Sequence, residues 1–297
     1  MKDYIYIALS KLRFEKFAQL LPELNQFNYS VIKGVALSVQ AYGVEGKRFG
    51  SDIDILASRK NIASIEDVLM KYEFNMKSHN RGNKIAMLSV SHQTVPWIKN
   101  DKTLGSITID INHDIFWGEY EGTRVDMDKF LSDSIEIEIY GVKAKALPPI
   151  KSLIQLILHH YKDMNSLFLL STRKSIRYDM FKDVYNLLIN NIDSISLDNL
   201  YDLSFEYDIV PYIYYMLYYT GQIYNNSTLK KYVGAFETVD GKELINCYGL
   251  GSNEKREWRV DFKTRLETEN LYDLIKDDLS NKDIEKIALN KKIFLED

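Results

Sequence analysis

KGVALSVQAYGVEGKRFGSDIDIL, Lys33 to Leu56, is the stretch that decides how this chain is read. Two carboxylates, Asp52 and Asp54, stand two positions apart in a run whose other members, Ile53, Ile55 and Leu56, are apolar. Side chains alternate across a strand, so both acids point to one face while the isoleucines anchor the other. Acids side by side on one face repel each other and cost free energy unless a cation neutralises them. Upstream, Gly34 opens a helix-like stretch, Val35 to Tyr42. A glycine there permits close backbone approach, and the helix behind it offers its first N–H groups to a phosphate. The loop Gly43 to Ser51 carries the basic pair Lys47 and Arg48. Carboxylates for a divalent ion beside groups suited to phosphate point to nucleotide chemistry.

A third acid lies further on. Ser106 to Ile111 alternates, with Ile107, Ile109 and Ile111 on one side and Thr108, Asp110 and Asn112 on the other. With that strand beside the Asp52–Asp54 strand, three carboxylates converge. Such a triad can hold two magnesium ions about 3.5–4 Å apart for in-line phosphoryl or nucleotidyl transfer. Blander readings stand beside this one. Asp52 and Asp54 could form a solvated strand face paired with Lys47 or Arg48, Asp114 competes with Asp110, and Lys33 could be an ordinary exposed residue. His159 and His160 are adjacent on a helical segment and point about 100° apart, which suits packing better than joint chelation. The tyrosines of Tyr212 to Tyr219 read as helix core. Arg256, Arg259 and Lys263 read as a solvated face.

These residues carry a family resemblance. A glycine at a helix start, then D-x-D on the next strand, then an acid on a later strand resembles the nucleotidyltransferase superfamily, which includes DNA polymerase beta and the aminoglycoside nucleotidyltransferases. The chain is more closely similar to the branch of uncharacterised nucleotidyltransferases. Lys33-Gly34, Ala36, Tyr42, Arg48, the run Asp52 to Leu56, Asp110-Ile111-Asn112-His113 and Trp117 follow its pattern. Two positions depart: Val35 stands where many members of the wider superfamily have Ser or Gly after the glycine, and Asn112 stands where the closer branch has His. The resemblance implies Asp52, Asp54 and Asp110 as catalytic metal ligands. It implies Lys33, Gly34, Val35, Arg48 and Ser51 around the nucleotide, two Mg2+ ions, and ATP or another NTP as donor.

Composition sets the frame. Hydrophobic residues make up 45% of 297 residues, which fits a folded protein with a large core. The net charge of −4 argues against broad nucleic-acid binding. Cys247 is the only cysteine, which excludes a disulfide framework and a cysteine-based zinc site. No apolar run is long enough to span a membrane, and the default expectation is a cytoplasmic protein.

The fold expected is α/β: a mixed sheet with flanking helices over residues 1–147, then a mainly helical domain over 148–297, entered at Pro148-Pro149. Further expectations are a helix from Tyr4 to Leu21 stopped by Pro22, and strands at Tyr29 to Ile32, Lys84 to Ser91, Gln93 to Ile98 and Ile135 to Tyr140. The function expected is magnesium-dependent transfer of a nucleoside monophosphate to a hydroxyl of a small molecule, peptide, protein or tRNA. Its rivals are a protein of the same fold that binds nucleotide without turnover, and a toxin-like transferase acting on tRNA or protein.

Overall fold

The computed structural model describes residues 2–48, 50, 52–77, 85, 87–88, 91–172 and 174–295. Their elements fall into two compact units, Met1–Ile115 with Val125–Ser152, and Phe116–Arg124 with Leu153–Asp297.

The first unit is built on a seven-stranded mixed sheet in the order β3-β4-β5-β2-β1-β7-β6. The strands are β1 (Tyr29–Ile32), β2 (Asp52–Ala57), β3 (Asn75–Met76), β4 (Trp97–Asp101), β5 (Gly105–Asn112), β6 (Ile135–Ile139) and β7 (Val142–Ala146). β2 pairs antiparallel with β1 and parallel with β5. Parallel neighbours need a long crossover, and here it runs through the helix α4 (Ile62–Lys71) and the edge pair β3–β4. Helices α1 (Lys2–Ala18) and α2 (Leu21–Leu24), with Leu20 from the turn between them, contribute Phe14, Phe17, Leu20, Leu21 and Leu24 to a core that also holds Ile53, Ile55, Ile65, Leu69, Ile107, Ile109 and Ile111. The isoleucines of β2 and β5 are therefore on the covered face. The alternating acids are left on the other, while helix α3 (Gly34–Tyr42), which follows β1 directly, packs Val35 and Ala36 into the same core.

Three expectations about elements shift. Pro22 does not end the first helix; α1 stops at Ala18 and Pro22 lies in the first turn of α2, where its missing N–H breaks no intrahelical bond. The strand expected at Gln93 to Ile98 begins only at Trp97, after Pro96, and Gln93 makes a lone bridge to Asn112. Of the strand expected at Lys84 to Ser91, Ile85, Met87 and Leu88 are helical, while Lys84, Ala86, Ser89 and Val90 lie outside the described residues. One strand, β7, was hidden by its short Val-Lys-Ala-Lys-Ala sequence. It turns back on β6 through Tyr140 and Gly141, both at positive φ (51° and 79°), as a two-residue hairpin requires.

The second unit is mainly helical, with a short antiparallel pair, Cys247–Tyr248 with Arg256–Glu257. Its centre is the helix Val210–Ile223, whose Ile213, Tyr214, Tyr215, Met216, Leu217, Tyr219 and Thr220 are buried, so the tyrosine-rich run is core. The segment Phe116–Arg124 belongs to this unit through its aromatic rings. Trp117 sits 5.6 Å from both Tyr161 and Tyr212, and Phe116 stacks on Tyr120 at 3.9 Å. Among the described residues, no helix is long and apolar enough to cross a membrane.

Candidate nucleotide and metal site

The parallel register of β2 and β5 sets the geometry. Asp52 stands opposite Thr108, and Asp54 opposite Asp110. Opposed residues on adjacent strands project to the same face, so the three carboxylates converge on one side of the sheet. Lys33 extends from the end of β1 and places its Nζ 3.0 Å from Asp54 Oδ1. The same oxygen accepts from Asn112 Nδ2 at 3.2 Å. Asn112 is 1% exposed and also donates to the Ile55 carbonyl at 3.3 Å, so its amide ties β5 to β2 beside the acids.

Asp110 bears the electrostatic cost of this crowding. Burial, then the charges of Asp54 and Asp52, push its carboxyl up to about 7, with Lys33 acting in the opposite direction. Its Oδ1 is buried and accepts no hydrogen bond from the described residues. A carboxyl that titrates near neutrality, beside two others, can gain or lose a proton under ordinary conditions.

The phosphate side is built from α3 and the loop after it. Lys33 caps α3 with φ 53° and ψ −156°, a conformation that a side chain resists, and Gly34 follows at φ 35°. The first backbone bond of the helix runs from Leu37 N to Lys33 O. The N–H groups of Gly34, Val35 and Ala36 thus precede the helical ladder. Val35 itself is buried, leaving its backbone as the polar feature of that position. Ser38 organises the loop: its Oγ donates to Val44 O at 2.9 Å and accepts from Lys47 N and Arg48 N at 2.9 and 3.2 Å. Arg48 is therefore placed through its backbone by a serine of α3. Gly50 lies close to Gly34, and a Cβ on it would come 2.8 Å from Asp52 O, so the loop returns tightly against the acid strand. Ser51 lies outside the described residues.

Other candidates fall away from this group. His113 is buried and accepts from Arg59 Nε at 3.2 Å through Nδ1. Asp114 is buried beyond the end of β5. His159 and His160 belong to the helical unit, where His159 Nε2 lies 3.6 Å from Asp163. Of the residues read from sequence as a solvated face, Arg259 and Lys263 are exposed, Arg259 while pairing with Asp278, whereas Arg256 is mostly covered and bonds Asp283. Asn112 and Ser38 are the site residues that the strand and helix patterns undervalued. Asn112 carried one signal, its place two residues beyond Asp110 on the same strand face.

The donor set suits a magnesium ion in kind: hard carboxylate oxygens, an excess of negative charge, and one buried oxygen without a donor. In arrangement it is not yet a metal cage. Among the described residues, no group of three or more His, Cys, Asp or Glu is disposed to hold a metal, and Asp54 is engaged by Lys33.

A profile of the family described as uncharacterised nucleotidyltransferases matches residues 11–225. Comparison with curated proteins gives no match. Among solved structures, the chain is similar to the antibiotic-resistance factor ANT(2'')-Ia, with 10% identity and a TM-score of 0.37, covering 66% of this chain and 90% of that one. It is also similar to an antigenic nucleotidyltransferase-like protein from Paracoccidioides brasiliensis, with 13% identity and a TM-score of 0.32, covering 66% and 92%.

Proposed function

Because the chain belongs to the uncharacterised nucleotidyltransferase family, we propose that it moves a nucleoside monophosphate, AMP from ATP, onto a hydroxyl of an acceptor with the help of magnesium. The observation that carries this reading is the register of β2 and β5, which sets Asp54 against Asp110 with Asp52 two residues along the same face. Asp52, Asp54 and Asp110 would hold the ions. When bound, magnesium offsets the charge on the triphosphate and on the departing pyrophosphate. The N–H groups at the start of α3, with Arg48, would orient the phosphates. Asp110 would take the acceptor's proton, a role that its elevated pKa supports near neutral pH. The acceptor oxygen then bonds to the α-phosphorus, and the bond to pyrophosphate breaks.

The test is pyrophosphate release from each of the four ribonucleoside triphosphates, with and without magnesium, in the presence of cell extract as acceptor source. Metal-dependent release that Asp54→Asn abolishes is the expected result. Metal-dependent nucleotide binding without any release would favour the rival reading, a binding protein without turnover. The Lys33–Asp54 ion pair lends that rival its support.

A further inference from the structure

We propose that Lys33 is an internal counter-cation for the acid cluster, holding Asp54 until a divalent ion arrives and then moving to the nucleotide's phosphates. The inference rests on the nucleotidyltransferase reading and adds to it a charge exchange that precedes catalysis. Asp54 Oδ1 is held by two donors, the Lys33 ammonium at 3.0 Å and the Asn112 amide at 3.2 Å. These donors differ in kind. Asn112 is 1% exposed and fixed between strands by the Ile55 carbonyl, so it stays. Lys33 has a flexible stem and a side chain 15% exposed, so it is not sealed from solvent as Asn112 is.

An ammonium and a divalent ion cannot share one carboxylate oxygen at contact distance in a partly buried site without strong repulsion. Capture of a metal at Asp54 Oδ1 therefore requires Lys33 to leave. Its destination follows from its backbone. Lys33 is the residue before Gly34 and caps α3, whose first N–H groups face outward from the helix. A triphosphate held at that helix start would meet the released ammonium within the same few ångströms of chain. The positive φ at Lys33 is a conformation that only surrounding structure sustains, and it fixes where the side chain departs.

Three variants and one spectroscopic readout test the exchange. Calorimetric titration with Mn2+, without nucleotide, is expected to show Lys33→Gln binding the ion roughly three- to tenfold more tightly than the native protein, since no ammonium must be displaced. Lys33→Arg, which keeps the charge, should bind no more tightly than the native protein. In the presence of metal, Lys33→Gln should bind ATP more weakly, because the phosphate contact is gone. Should Lys33→Gln fail to fold, titration of the native protein with Mg2+, followed at the Lys33 side-chain NMR signals, still decides. A saturable shift is expected, and an invariant signal despite metal binding overturns the proposal. Unchanged or weaker metal affinity in Lys33→Gln also overturns it, while leaving the magnesium reading intact. If neither protein binds a divalent ion with or without ATP, and Asp54→Asn behaves like the native chain, both readings fall.

Discussion

Each unit of the molecule buries a charge that its neighbours do not fully satisfy, and the two cases differ in what surrounds it. In the sheet unit, three carboxylates share one face beside the Lys33 ammonium, and Asp110 Oδ1 has no donor among the described residues. In the helical unit, Arg265 is 0% exposed and Nη1 has no acceptor among the described residues. Its other nitrogens donate to Tyr219 OH at 2.9 Å, Asn246 Oδ1 at 3.1 Å and the Asp261 carbonyl at 3.3 Å. The rings of Tyr219, Trp258 and Phe262 lie 5.2–5.6 Å from its guanidinium carbon. A guanidinium is weakly hydrated, always charged and favoured by aromatic faces, so it can be enclosed for good. A carboxylate cluster repels itself and can gain either a proton or a metal. An orphaned buried atom marks a site only where the group can exchange its partner. Arg265 cannot, whereas Asp54 and Asp110 can.

The comparison breaks first at Arg265. Arg265→Ala should cost the helical unit about 3 kcal/mol or more, through the void and through the lost donors to Asn246 and Tyr219. Arg265→Met, which fills the space without a charge, should recover most of that loss. Unfolding followed by hydrogen exchange at residues around Tyr219 and Asn246 reads it. Native protein stabilised by inorganic phosphate in an Arg265-dependent way would make Arg265 an anion site and erase the contrast.

A smaller effect is expected from the exchangeable side. Asp110→Asn should leave metal-dependent ATP affinity within a few-fold of the native value, because Asp52 and Asp54 remain. Turnover should fall about a hundredfold, the scale of losing a positioned base. Affinity and pyrophosphate release measured on the same preparation decide it. Turnover that survives would move the base to another group, and Asp114 would be the next to replace.

Much of this contrast was legible in the sequence on one side and little on the other. The acid face follows from period-two alternation in Asp52 to Leu56 and Ser106 to Ile111, because strand geometry alone fixes which side chains share a face. What alternation cannot give is pairing. That β5 lies parallel to β2 with Asp54 opposite Asp110 depends on the crossover and on the core that α1 and α4 supply. Lys33 reads as an ordinary polar residue until the turn at φ 53° aims it at Asp54. β7 is hard to read because its buried positions, Ala144 and Ala146, are small and its other positions include two lysines. Arg265 was invisible, since its aromatic surroundings come from residues as far apart as Tyr219 and Phe262.

The smallest expected effect is a dependence of stability on pH, and it separates the two charges without any assay of activity. Asp110 in the folded protein titrates at about 7, pushed up by burial and by Asp54 and Asp52. In the unfolded chain an aspartate releases its proton near 4. Between those values the folded protein holds more protons than the unfolded one, so stability falls as pH rises. The contribution is complete below about pH 4, declines through the window, and is lost above about pH 7. Metal-free protein should therefore unfold at lower temperature at pH 8 than at pH 5.5, with Asp110 contributing on the order of 2 kcal/mol to the difference. Histidines titrate in the same range, so the native curve is compared with that of Asp110→Asn, in which this part of the slope should vanish. Arg265 stays charged throughout and should leave the slope unchanged when replaced by Met. Saturating magnesium should flatten the native slope in the same way as Asp110→Asn, because a bound cation replaces the proton that the cluster otherwise needs. A slope that persists in Asp110→Asn would place the titrating group elsewhere and remove the electrostatic basis for calling the acid face exchangeable.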